Sequence, residues 1–298
     1  MLGEPFATTI ARRPPTTEDD SQTMLTDYHV HLRPDALDAT FDEYMTNENA
    51  QRYRVAAEEA GITELGVSEH IYRFAEALSI WDHPYWQKNA LDDLGRYVEF
   101  VRKETDLRLG IEADYVAGRE EQIAQLLGEH DWDYVVGSVH FLAQAALDHE
   151  SYDIWRERSS AEDIWTEYFR TLADAARTGL YDIMAHPDLV KYWGKERPAP
   201  DRDLRFFYEP AVEAFAEAGV VVEVSTAGLR KPVGEIYPAP AFIDMCVDAG
   251  LSFALSSDAH QPMYVGHGYE HAQELLADHG VTELVVFEGR ERRLEPIG

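Results

Sequence analysis

Cysteine is almost missing from this chain. Cys246 is the only one among 298 residues, which excludes an intrachain disulfide framework and a cysteine-rich zinc module, and suits a reducing compartment. Lysine is scarce too, with five: Lys88, Lys103, Lys191, Lys195 and Lys231. The basic total of 26 faces 56 acidic residues, for a formal charge of −30. That balance argues against binding a nucleic acid polymer or an anionic membrane surface. It leaves room for an anionic substrate in a locally positive site, and divalent cations are the obvious source of such charge. No apolar run reaches the length of a membrane span, and the first residues lack the apolar centre of a secretory signal. A cytoplasmic protein is expected.

Residues 1–23 are rich in Pro, Thr, Asp and Arg without an apolar period, and read as a disordered tail, with Met24 a candidate start. With 45% apolar residues, residues 24–298 can build one large domain. Strand-like runs at 25–30, 64–68, 107–111, 134–139, 181–185, 220–224 and 251–257 alternate with helix-like ones at 48–60, 86–104, 119–128, 161–178, 203–218, 239–249 and 268–278. A short final strand is possible at 284–287. Strand and helix in turn predict an α/β fold with a parallel sheet, and seven units favour a closed barrel over an open sheet. The segments 71–84 and 142–160 read as long functional loops.

Histidines and carboxylates recur where these strand-like runs end: His29 and His31, His70, Glu112, His140, His186, then Asp258 and His260. In parallel α/β folds the carboxyl ends of the strands are where sites are built. His29 and His31, two apart on an extended strand, point the same way and can grip one cation. Asp258 and His260 repeat the geometry with one oxygen and one nitrogen, a mixture that suits zinc, manganese or iron. Glu112 has two oxygens and can bridge two ions about 3.5–4 Å apart, while Asp114, two residues on, is a rival or a supporting group. Each residue has a bland alternative: Asp258 as a helix N-cap, the histidines as hydrogen-bonded core. Six segments with one pattern outweigh it.

The ordered motifs Asp27-Tyr28-His29-Val30-His31, Ser68-Glu69-His70, Gly110-Ile111-Glu112-Ala113-Asp114, Gly137-Ser138-Val139-His140, Ala185-His186-Pro187-Asp188 and Ser257-Asp258-Ala259-His260 resemble the PHP (polymerase and histidinol phosphatase) superfamily, most closely its stand-alone histidinol-phosphatase branch. The resemblance runs from about residue 25 to about 272. It implies a distorted seven-stranded (β/α)7 barrel with two or three divalent metals at the carboxyl ends of its strands. It places His29, His31, Glu112 and Asp258 on one ion, Glu112, His140 and His186 on a second, and His70 and His260 on a third. One departure stands out: a further histidine that the family often has after the His-x-His pair is missing from residues 32–38. Asp35 is the best substitute and Asp38 the next.

The resemblance further implies a small phosphate ester as substrate, L-histidinol phosphate first, within histidine biosynthesis. The stretch Ser225-Thr226-Ala227-Gly228-Leu229-Arg230-Lys231 offers hydroxyls and two cations to a phosphate after a strand. Lys191 is a weaker candidate, with Tyr192 and Trp193 near it to pack on an imidazole. An ammonium on the substrate needs a carboxylate, and Glu69, Asp114 and Glu223 are available. The expected mechanism is attack on phosphorus by metal-activated hydroxide. Glu112, Asp258 and His260 are the catalytic candidates, with water at the third site or Asp258 as a source of the leaving-group proton. A nucleotide phosphoesterase and a non-catalytic metal-binding module are the alternatives.

Overall fold

The strands form because apolar, β-branched runs can be covered on both faces by helices. In the computed structural model, which describes residues 24–36, 38–158 and 160–297, they are β1 (Thr26–Asp27), β2 (Glu64–His70), β3 (Arg108–Asp114), β4 (Tyr134–Ser138), β5 (Ile183–Met184), β6 (Val221–Ser225) and β7 (Phe253–Ser256). All neighbours pair in parallel, in chain order. The barrel closes where Val30 bridges Ala259, with the His31 amide donating to the Ala259 carbonyl at 2.8 Å. It is the distorted seven-stranded barrel that the sequence predicts. The expected tail over 1–23 lies outside the described residues.

The main helices are α1 (Asn47–Glu59), α2 (Leu94–Glu104), α3 (Glu120–Leu127), α4 (Ala161–Arg177), α5 (Arg205–Ala218), α6 (Pro240–Asp248) and α7 (Tyr269–Asp278). Thr46, Asp93 and Ser160 cap α1, α2 and α4 by accepting from the amides of Asn49, Arg96 and Asp163, which satisfies donors that a helix start leaves free. The single helix expected over 86–104 is broken in two. Its first part, Pro84–Asn89, stops before Asp92, which pairs with Arg33 at 2.5 Å, and Asp93 restarts the chain as α2.

The expected last strand is half of an antiparallel hairpin, β8 (Glu283–Glu288) with β9 (Glu291–Pro296), outside the barrel sheet. Its Val285 and Phe287 pack against Tyr28, Tyr134 and Val136, and the Phe287 amide donates to the Tyr28 hydroxyl at 3.0 Å. This closes the amino end of the barrel. Tyr134 lies across β3 so closely that a Cβ at Gly110 would overlap its ring, which is why a glycine stands in this strand. Filled below, the barrel leaves its carboxyl end open for chemistry.

Candidate metal centre

His29, His31, His70, Glu112, His140, His186, Asp258 and His260 lie in the last three residues of a barrel strand or just beyond it, at the carboxyl mouth; Asp35 lies farther along the loop. His29, His31 and Glu112 are fully buried, and His70, His140 and His186 nearly so. Their ring nitrogens converge on two carboxylates. Glu112 Oε2 lies 3.2 Å from His29 Nε2 and 3.6 Å from His31 Nε2, and it also contacts His70 Nδ1. Its other oxygen faces His186 Nε2 at 3.4 Å and His140 Nε2 at 3.5 Å. Asp258 Oδ1 meets His260 Nε2 at 3.3 Å, His31 Nε2 at 3.4 Å and His29 Nε2 at 3.7 Å. His186 and Asp258 both take left-handed backbone, with φ of 27° and 48°. Strain of this kind in non-glycine residues is characteristic of sites where the rest of the fold dictates the geometry.

These residues fit a metal. His29 Nε2, both nitrogens of His31, Glu112 Oε2 and Asp258 Oδ1 are buried without a hydrogen-bond partner, a costly state unless something else satisfies them. Three groups bring ligand atoms within 4.8 Å of one another: His29 with His31 and Asp258, His29 with Glu112 and His186, and His31 with His70 and His260. A mixed imidazole and carboxylate donor set suits zinc, manganese or iron. The electrostatics agree: burial opposes charge on Glu112, yet His70, His29 and His140 hold its carboxyl well below the usual range. Burial likewise opposes charge on Asp258, which His29, His260 and His31 hold low.

Supporting groups aim the rings. His29 Nδ1 bonds Glu223 Oε1 at 2.8 Å, and the same carboxylate accepts from Ser256 Oγ and the His186 amide, both at 2.6 Å. His140 Nδ1 bonds Asp114 Oδ1 at 2.7 Å. Such outer partners set the tautomer and turn the other nitrogen inward. Sequence reasoning had Glu223 only as a possible ammonium partner. Its place was legible: an acid in an apolar strand, two residues before Ser225 and so on the same face.

Asp35 approaches the third group, 3.4 Å from His260 Nδ1 and 4.0 Å from His70 Nε2. Its Oδ1 also accepts from Arg73 Nη2 at 2.6 Å. Arg73, which sequence reasoning missed, is buried and also pairs with Glu69. Arg73 follows His70 by three residues in a short helical turn, and only the tertiary fold brings it beside Asp35.

Above the ligands opens a cavity of about 350 Å³. The loops expected to be functional do line it, Tyr72 from one and Asp148, His149 and Tyr152 from the other. Of the four substrate-binding candidates, Lys231 faces this cavity. The others are turned to the walls. Arg230 donates to the Ser257 and Asp258 carbonyls at 2.7 and 3.0 Å; Lys191 meets Asp188 at 2.9 Å and the Ile236 carbonyl at 2.9 Å. The Ser225 hydroxyl accepts from the Ala227 amide. In these positions they brace the turns that carry the site.

A sequence profile of the PHP domain matches residues 27–227. A protein of Deinococcus radiodurans, named "Probable histidinol-phosphatase", is 34% identical over 253 residues, covering 83% of this chain and 92% of that one. The histidinol-phosphatase of Bacillus subtilis is 25% identical over 269 residues, 82% of this chain and 96% of its own. In structure, the chain is similar to a histidinol phosphate phosphatase from Lactococcus lactis complexed with zinc, L-histidinol and phosphate. The TM-score is 0.65 at 17% identity, over 92% of this chain and 99% of that one. That likeness shows the shared fold; with the profile and the first relative, it means that the chain belongs to the PHP domain family, in its histidinol-phosphatase-like branch.

Proposed function

We propose that this protein is a metal-dependent phosphomonoesterase that hydrolyses L-histidinol phosphate to L-histidinol and phosphate, a step of histidine biosynthesis. The observation that carries the reading is the convergence of buried, unpartnered ligand atoms beneath a cavity of about 350 Å³ that also holds Lys231 and an aromatic wall. The named relatives, matched over nearly their whole length, supply the substrate.

In this reading His29, His31, Glu112 and Asp258 would hold one divalent ion, and Glu112, His140 and His186 a second. Such a pair supplies a hydroxide nucleophile near neutrality and charge stabilisation at phosphorus. A third position, at His70, His260 and Asp35, binds more weakly, because Arg73 already brings a fixed positive charge to Asp35. Lys231 draws the phosphate into the cavity and neutralises its oxygens. Asp258, held ionised, has no proton to give, which leaves water at the third position, beside His260, as the source of the leaving-group proton.

Phosphate release from L-histidinol phosphate, with manganese or zinc and then with chelator, tests this beside nucleotide and sugar phosphates. Selective, metal-dependent turnover is expected. Preference for a nucleotide would keep the metal centre and replace the substrate. Stoichiometric metal binding without turnover on any ester would leave a binding module.

A further inference from the structure

A substrate that carries an ammonium as well as a phosphate needs an anionic group in the cavity, away from the metal ligands. The three carboxylates that the sequence offered are all committed: Glu69 to Arg73, Asp114 to His140, Glu223 to His29. Two of the carboxylates that line the cavity are committed as well, Asp35 to Arg73 and Asp258 to the histidine cluster. The remaining one is Asp148. Resting on the histidinol phosphate reading, we propose that Asp148 is the specificity-determining residue of this cavity, the carboxylate that pairs with the substrate's ammonium group.

Its setting suits the task. Asp148 is half-buried and, among the described residues, carries neither a hydrogen bond nor an ion pair, so no partner must be displaced on binding. The residue before it is held at both backbone groups, because the Leu147 amide donates to the His140 carbonyl at 2.9 Å and the Leu147 carbonyl accepts from Trp193 Nε1 at 2.7 Å. A backbone held there need not reorganise when the side chain takes a ligand. The charge of Asp148 acts on both His140 and Lys231, so it shares the electrostatic space of the metal centre and the phosphate cation. Next to it His149 faces Tyr85, ring centroids 5.1 Å apart, an aromatic surface on which an imidazole can pack. Phosphate towards Lys231 and ammonium towards Asp148 orients the ester across the cavity. An uncharged alcohol phosphate would leave Asp148 without a partner.

The test compares L-histidinol phosphate with its deaminated analogue, 3-(imidazol-4-yl)propyl phosphate, in the metal-loaded wild type, Asp148→Asn and Asp148→Ala. The ratio of the two kcat/KM values is expected to fall at least tenfold in both variants, through KM for the aminated ester. An unchanged ratio, or an equal loss on both esters, overturns the proposal. A second readout is inhibition of p-nitrophenyl phosphate hydrolysis by free L-histidinol, which must weaken about tenfold in the variants; unchanged inhibition overturns the contact. Failure of the substrate reading shows separately, as a wild type that does not favour L-histidinol phosphate over nucleotide and sugar phosphates.

Discussion

The two ends of one barrel are built from the same strands and behave as opposites. At the amino end, Tyr28, Tyr134 and Phe287 fill the space, and the Tyr28 hydroxyl donates to Glu64 Oε1 at 2.7 Å and accepts from the Phe287 amide, although the Tyr134 hydroxyl is buried without a partner. At the carboxyl end the same strands present histidines and carboxylates whose atoms are buried and unpaired. Along β3 the change takes two residues, from Gly110 beneath the Tyr134 ring to Glu112 among the imidazoles. One end spends its buried surface on packing; the other holds open a polar cluster that a cation must complete. Stability and chemistry are thereby separated along each strand, as in barrels generally.

The comparison can be broken most sharply at Glu112. Glu112→Gln removes the charge shared by both proposed ions, so we expect metal content by elemental analysis to fall by two equivalents together and turnover to drop about a thousandfold or more. The thermal midpoint of the metal-free protein should change far less. Full activity in this variant would remove the shared-carboxylate reading.

At the opposite end, Phe287→Ala should cost roughly 3–5 kcal/mol in urea unfolding, through lost burial and a cavity under Tyr28 and Tyr134. Metal binding by the folded fraction should stay at its wild-type affinity. If metal affinity fell in step with stability, the two ends would not be separable.

A smaller effect is expected one layer out from the ligands. Glu223→Gln keeps the shape and removes the charge that orients His29, and about a 10- to 100-fold loss of metal affinity should follow in a chelator competition. The mildest probe is pH. Burial opposes protonation of His140, but Asp114 and then Glu112 push its pKa up to about 10 in the metal-free protein. Below that value a proton must leave before a cation can bind, so affinity should rise with pH by up to about tenfold per unit for this one proton. A flat profile between pH 6 and 9 would mean that no proton leaves His140 when the cation binds.

Much of the site was legible from the chain because its ligands obey a local rule. A histidine or acid at the end of an apolar strand lands at the carboxyl mouth whatever the details of packing, so His29, His31, Glu112 and Asp258 could each be placed at that mouth from the sequence, while the family resemblance implied which of them share an ion. Arg230 and Lys191 show the limit of such reading. Their neighbourhood in the chain is basic and close to a strand end, yet carbonyls distant in the chain take up both side chains, those of Ser257 and Asp258 for Arg230 and that of Ile236 for Lys191. Lys231, beside Arg230, faces the cavity instead. The final strand illustrates the same point, since β8 has the pattern of a barrel strand and pairs with β9 instead.

By itself the sequence determined the order of strands and helices, the parallel sheet, and the set of donors at one end of it. These follow from periodicity and from where polar residues interrupt apolar runs, both properties of neighbours along the chain. The tertiary structure alone decided which carboxylates are free. Glu69, Asp35, Asp114 and Glu223 are each bound by a residue at least four and up to 194 positions away, whereas Asp148 has no such partner among the described residues. Pairing of that kind depends on through-space distance, which spacing in the chain does not encode.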